Sequence, residues 1–237
     1  MKREHPILFS APMVRAILDG RKTQTRRVVK PPPSGEWCPL LGDFHETVED
    51  SAGDVYPGQL VFGAYDDCES ARCPYGRPGD RLWVRETWFS STPKTPSRVR
   101  YAADGLIRLE DGLFARAVCK PPKWRPSIFM PRWASRITLE IVAVRVERLQ
   151  CISEKDAQRE GLESVSHGHL GAWKNYAFET SNPKMSETIT DERHRIVGYQ
   201  SAVRSFRSLW DTINSKRGFG WDLNPWVWVI EFKRVTT

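Results

Sequence analysis

The sequence predicts an α+β fold: a small mixed or antiparallel β-barrel with short helices at its mouth and long loop insertions. Two long runs of β-branched and aromatic residues, ITLEIVAVRVERL at 137–149 and WVWVIEFKRV at 226–235, supply the main strands. Helical apolar spacing occurs at 10–20 and again at 201–216, and Pro- and Gly-rich stretches separate these pieces. The resulting order is helix, four strands, two helices and a final strand, with spacings that suit antiparallel neighbours closing on themselves.

At 10–20, SAPMVRAILDG has Ser10 in a capping position, Pro12 in the first turn, Met13 and Ile17 one turn apart and Gly20 as the stop. TQTRRVV at 23–29 then reads as a strand that ends before Pro31-Pro32-Pro33. Residues 31–76 are rich in Gly, Pro, Asp and Cys and read as a loop-rich insertion, with one strand-like piece, QLVFGAY, at 59–65. RPGD at 77–80 makes a tight turn into a strand at 81–88, where Leu82, Val84, Glu86 and Trp88 share one face; 99–103 is its expected neighbour. Residues 115–136 hold six Lys or Arg, no acid and four prolines, too kinked for a helix. After the strand at 137–149, SEKDAQREG at 153–161 has a capping Ser, an acidic first turn and a closing Gly, which predicts a short helix. From 164 to 197 the chain is polar and aperiodic, and a surface excursion or mobile flap is expected. Val203, Phe206, Trp210 and Ile213 define the last helix, and Trp226, Trp228, Ile230 and Phe232 share one face of the last strand. No linker divides the chain, so residues 1–237 are expected to form a single domain with insertions at about 31–76, 104–134 and 163–200.

A balance of 36 Lys+Arg against 29 Asp+Glu leaves a net charge of +7, which suits a polyanionic or nucleotide partner and equally suits simple solubility. No apolar run is long enough for a membrane span and the N-terminus lacks a signal-peptide pattern, so a cytoplasmic protein without a membrane partner is expected. The cysteines include no CxxC pair. Cys38, Cys68 and Cys73 with His45 allow a zinc knuckle to be drawn, but buried free thiols are the commoner fate. His167 and His169 form a loop pair that reads as polar surface or as a metal-binding couple. Dinucleotide, P-loop, zinc-protease and serine-hydrolase motifs are absent, and no cofactor is expected.

GRKTQTRR at 20–27 is the segment in which chemistry is most concentrated. A lysine beside a threonine hydroxyl is the minimum for nucleophilic catalysis when burial or nearby cations depress the lysine pKa, and Arg21, Arg26 and Arg27 supply those cations. The bland alternative is a basic strand end facing water or phosphate. Lys22 and Thr25 are three apart, so in a regular strand they would face opposite sides; Lys22 must sit in the turn after Gly20 for the two to cooperate.

The Gly-Arg-Lys-Thr-x-Thr-x-Arg segment behind a short helix, the Pro-Gly-Asp turn before a strand and the SEKDAQRE helix resemble the ASCH domain, a PUA-like β-barrel. GDRLWVRETW and the Trp-rich last strand are similar to the longer phage- and prophage-type ASCH proteins. The resemblance covers about 6–30, 77–90, 135–162 and 200–235. It implies an amidohydrolase that removes the acyl group from N4-acylated cytidine or a related nucleobase. The catalytic residues it implies are Lys22, Thr25 and Glu160, with no metal required. Arg27 is the candidate to stabilise the oxyanion or to hold a phosphate or carbonyl. Arg21 is a further candidate for substrate binding, or with Arg26 only tunes the field, and Glu86 is a candidate to bind substrate or to fix one of these cations. Trp124 and Trp133, among the cations of 120–136, are candidates for stacking a base or for burial in the barrel. Two other functions suit the same residues, an RNA- or modified-base-binding module without turnover and a ribonuclease.

Overall fold

The computed structural model describes residues 3–30, 47–49, 55–57, 61–63, 70–90, 99–105, 123–167, 170–176, 188–190 and 196–235. It has a mixed α+β architecture built on a five-stranded sheet. The strands are β1 (Glu4–Leu8), β2 (Gln24–Val28), β3 (Arg81–Arg85), β4 (Thr138–Arg148) and β5 (Trp226–Val235), in the order β1-β3-β4-β5-β2. β1 and β3 are parallel; β3, β4, β5 and β2 follow as antiparallel neighbours. The two edge strands are joined by helix α1 (Ala11–Leu18). No helix among the described residues is long and apolar enough to cross a membrane.

The two strongest sequence runs form the sheet's centre, pairing from Thr138↔Val235 to Arg148↔Trp226. A bulge between Ile141 and Ala143 turns Val142 outward, where it is 52% exposed. Alternation along β5 divides the core in two. Trp228, Ile230 and Phe232 face α1 with Ile7, Phe9, Met13, Val14 and Ile17, whereas Val227 and Val229 face α2 (Glu154–Arg159) and α3 (Ala202–Asn214) with Ala157, Phe206 and Trp210. The sheet is therefore apolar on both faces around β5.

Helix ends follow their side chains. Ser153 Oγ accepts from the Asp156 amide at 3.1 Å, and Ser201 Oγ accepts from the Arg204 amide at 3.3 Å. Ser10 has the extended N-cap backbone but its hydroxyl makes no capping bond, and Pro12 supplies the pre-set φ instead. The Glu154 carboxylate accepts from the Ala202 amide at 2.7 Å and from the Ser201 hydroxyl, which fastens α2 to the start of α3.

Several expectations are corrected. The strand expected at 81–88 breaks after Arg85; Trp88–Ser90 is a separate strand, and its antiparallel partner is Val99–Tyr101. The polar stretch 164–197 is not a plain excursion. Ser164–His167, Leu170–Lys174, Thr188–Thr190 and Ile196–Tyr199 form a four-stranded sheet with Trp173 and Tyr176 packed against the α3 core. Gly198 permits it: a Cβ there would lie 2.8 Å from a Val165 methyl and 2.9 Å from the Trp173 carbonyl. Within the first insertion, Val61–Gly63 pairs with Ser70–Arg72, and the rest of QLVFGAY lies outside the described residues. Cys38, His45, Cys68 and His169 also lie outside them; Cys73 packs against the α1 core, where burial raises its thiol pKa to about 11.

Gly161, directly after α2, has φ +83°, and a Cβ there would stand 2.7 Å from Lys22 Cβ and 2.9 Å from Ala16 Cβ. Gly20, at the end of α1, has φ +74° with nothing within 4 Å of its Cβ position. Gly161→Ala is expected to destabilise the fold by about 2–4 kcal/mol, strain plus overpacking, and Gly20→Ala by about 1 kcal/mol, strain alone. Urea unfolding of both variants measures the difference, and equal losses would show that the Gly161 contact with Lys22 is soft.

Candidate active site

Lys22 stands in the turn between α1 and β2, outside the regular ladder. Its amide donates to the Ala16 carbonyl at 2.9 Å, and it forms an isolated antiparallel bridge with Glu160. The next amide, of Thr23, donates to the Arg159 carbonyl at 3.0 Å. The end of α2 is thereby stitched to the start of an edge strand, which brings two residues 138 positions apart into contact. Lys22 Nζ donates to Glu160 Oε2 at 2.9 Å and to the Glu160 carbonyl at 2.7 Å, with side chains only 3% and 4% exposed.

The other oxygen of Glu160 is taken by β2 itself. Arg26 Nη1 donates to Glu160 Oε1 at 3.0 Å, and Arg26 Nη2 to Glu147 Oε1 at 2.5 Å, with Asp156 Oδ2 at 3.6 Å. Arg145 continues the network to Glu147 and Asp156, both at 3.2 Å, and to Glu231. Register explains the grouping: Arg26 pairs with Val229 and Val229 with Arg145, so all three face α2 in one cross-strand row. Gln24, on the same face, donates to the Asp156 carbonyl at 2.9 Å.

Thr25 and Arg27 alternate to the opposite face, paired with Ile230 and Trp228 on the α1 side. Arg27 Nη2 donates to the Leu8 carbonyl at 2.7 Å, and its guanidinium lies 5.2 Å from the centre of the Phe9 ring. Lys22 Nζ lies 5.5 Å from the same ring. Glu160 therefore straddles the end of β2, with Arg26 on one face and Lys22 on the other, where the Phe9 ring lies near both Lys22 and Arg27. Lys22 stands in the turn that cooperation with the buried Thr25 requires. No hydrogen bond joins Thr25 to Lys22 or Glu160 among the described residues.

Burial depresses the Lys22 pKa below its ordinary 10.5; Glu160 opposes this, and the cations of Arg27 and Arg26 reinforce it. Two acceptors hold Nζ, and a neutral amine has two N–H bonds and one lone pair. The two donations to Glu160 leave one direction at Nζ, which is a lone pair in the neutral amine and a third N–H in the ammonium.

The remaining sequence candidates lie elsewhere. Arg21 is exposed, donating to the Leu162 carbonyl at 3.0 Å and to Asp19 at 2.9 Å. Glu86 is buried, but it fixes none of the cations at 20–27: Arg136 holds it at 2.9 and 3.1 Å, and Arg136 is also paired with Asp104. Desolvation raises the Glu86 pKa against the pull of Arg136. Trp133 is half-buried with its ring edge-on to Trp88 at 5.8 Å, and Trp124 is half-buried beside Arg125, whose guanidinium covers Trp88. Among the described residues of this segment the exposed large apolar side chains are Ile128 and Phe129.

The chain matches no family model, no curated protein and no solved structure. Function must therefore be argued from the geometry at Lys22.

Sequence reasoning missed Phe9, Glu147 and Asp156, and treated Arg26 as a field-tuning cation. The signal for the network was present: Arg145 and Glu147 alternate inside an otherwise apolar strand, where buried charges need partners.

Proposed function

We propose that the protein is an amidohydrolase that removes the acyl group from an N4-acylated cytidine or a related N-acylated nucleobase, through Lys22, Thr25 and Glu160. The observation that carries this reading is the buried Lys22–Glu160 pair, in which Glu160 accepts two hydrogen bonds from Nζ while burial depresses the lysine pKa. The resemblance of the 20–27 and 153–160 segments to the ASCH domain supplies the substrate class. For the PUA-like barrel, support comes from the Arg27 side chain reaching Leu8, which spans from one edge strand of the sheet to the other.

In this mechanism Lys22 Nζ takes the hydroxyl proton of Thr25 as Oγ1 bonds to the acyl carbonyl carbon. The resulting ammonium is stabilised by Glu160. Collapse of the tetrahedral adduct breaks the carbon–N4 bond, and Lys22 returns its proton to N4, so cytidine leaves as the neutral amine. Water then adds to the threonine ester with Lys22 again accepting the proton, and Thr25 leaves with that proton as the carboxylic acid is released. Lys22 is thus base and acid in turn, and Glu160 holds it between the two states.

The test is incubation with N4-acetylcytidine followed by acid quench and mass analysis of the chain. Cytidine release with an acetyl group on the peptide bearing Thr25 is expected, and Thr25→Ala should lose both. Release that survives Thr25→Ala would remove Thr25 as nucleophile. No release by the wild type, alongside salt-sensitive RNA binding, would favour the binding module instead.

A further inference from the structure

Arg27 differs from its neighbours in what holds it. Arg26 is paired with Glu147, Asp156 and Glu160, and Lys22 with Glu160. Arg27 donates one hydrogen bond, to the Leu8 carbonyl; its Nε is buried without an acceptor, and no carboxylate pairs with it among the described residues. A guanidinium carries five N–H donors; Arg27 is half-buried, so the donors not held by Leu8 are open to solvent or to a ligand, apart from the buried Nε. A side chain in this state is poised to receive an anion.

Position says which anion. Arg27 follows Thr25 on the same face of β2, about 7 Å along the strand, and its guanidinium shares the Phe9 ring with Lys22 Nζ. A group bound there would be attached to the molecule whose amide meets Thr25. The planar guanidinium fork can give two N–H groups to one anion, and the anion a nucleoside substrate carries is a phosphate.

We propose that Arg27 forms a phosphate subsite of the Lys22 site, so that the substrate is a phosphorylated nucleoside, either a 5′-monophosphate or a unit within an oligoribonucleotide. For the amide chemistry this rests on the function proposed above; the anion site itself does not depend on it.

Two measurements separate the claims. In calorimetric titration, cytidine 5′-monophosphate should bind at least about tenfold more tightly than cytidine, the equivalent of one charge-assisted hydrogen bond. Arg27→Gln should erase the preference and Arg27→Lys should keep part of it. If Arg27→Gln does not fold, Arg27→Lys serves as the test, and its preference should fall a few-fold below that of the wild type. In turnover, kcat/KM for N4-acetylcytidine 5′-monophosphate or for an N4-acetylcytidine oligoribonucleotide should exceed that for N4-acetylcytidine. Whichever phosphorylated form is preferred identifies the source of the phosphate. Equal binding of cytidine and its monophosphate by the wild type, or a preference unchanged in Arg27→Gln or in Arg27→Lys, would overturn the subsite. Absence of hydrolysis with an Arg27-dependent preference retained would instead refute the amidohydrolase and leave the subsite standing.

Discussion

Arg26→Met is expected to destabilise the protein by about 3–5 kcal/mol, the usual consequence of removing one member of a buried ion pair. The arginine side chain is fully buried, and its guanidinium is the cation common to Glu147, Asp156 and Glu160. Methionine fills most of the volume and still packs against Phe206, over whose ring the guanidinium lies at 5.9 Å. The loss therefore comes from carboxylates left without their shared cation, Glu160 in the interior and Glu147 and Asp156 part-buried. Glu147 and Asp156 retain Arg145, and Glu160 retains Lys22, which is why the effect is bounded and not a complete collapse. Urea unfolding measures it. Glu147→Gln added to Arg26→Met should recover part of the loss, since it removes one of the stranded charges; strictly additive losses would show that the network is not coupled.

Lys22→Ala should lower kcat/KM for the N-acylated nucleobase by about three orders of magnitude, within the range expected for loss of a general base. Thr25→Ala should lose a comparable amount, and the double variant should lose little more than either alone, because residues that act as one unit are strongly non-additive. Glu160 holds both Lys22 and Arg26, so Glu160→Gln keeps the hydrogen-bonding shape while removing the charge that stabilises the Lys22 ammonium. Its effect should fall on kcat more than on KM. A Lys22→Ala variant with unchanged turnover would make the buried pair purely structural.

Much of the frame was legible in the sequence, for identifiable reasons. The runs at 137–149 and 226–235 are long, β-branched and aromatic, and they form the paired centre of the sheet, with Trp228, Ile230 and Phe232 on one face as the alternation requires. Gly161 signalled the end of α2, and the structure adds why it must be glycine: Lys22 and Ala16 occupy the space a Cβ would need. The pairing of Lys22 with Glu160 followed from motif resemblance alone, because local patterns carry no information on a contact 138 residues apart. Arg26 was underrated for the same reason. Its partners Glu147 and Asp156 come from β4 and α2, and only the sheet register places them together. The strands within 164–197 were hidden because pairing at sites such as Gly198 depends on backbone approach and leaves no apolar alternation behind.

The central claim is that Lys22 works as a neutral base, and the pH dependence of kcat/KM for N4-acetylcytidine tests it most directly. A base must be deprotonated to act, so activity should rise with pH through a single limb lying below the ordinary lysine value of 10.5, because burial depresses Lys22. Glu160 raises that pKa and Arg27 lowers it, so Glu160→Gln should move the limb to lower pH and Arg27→Gln to higher pH. A limb that stays in place in both variants, or a profile without one, would contradict the assignment of Lys22 as the base.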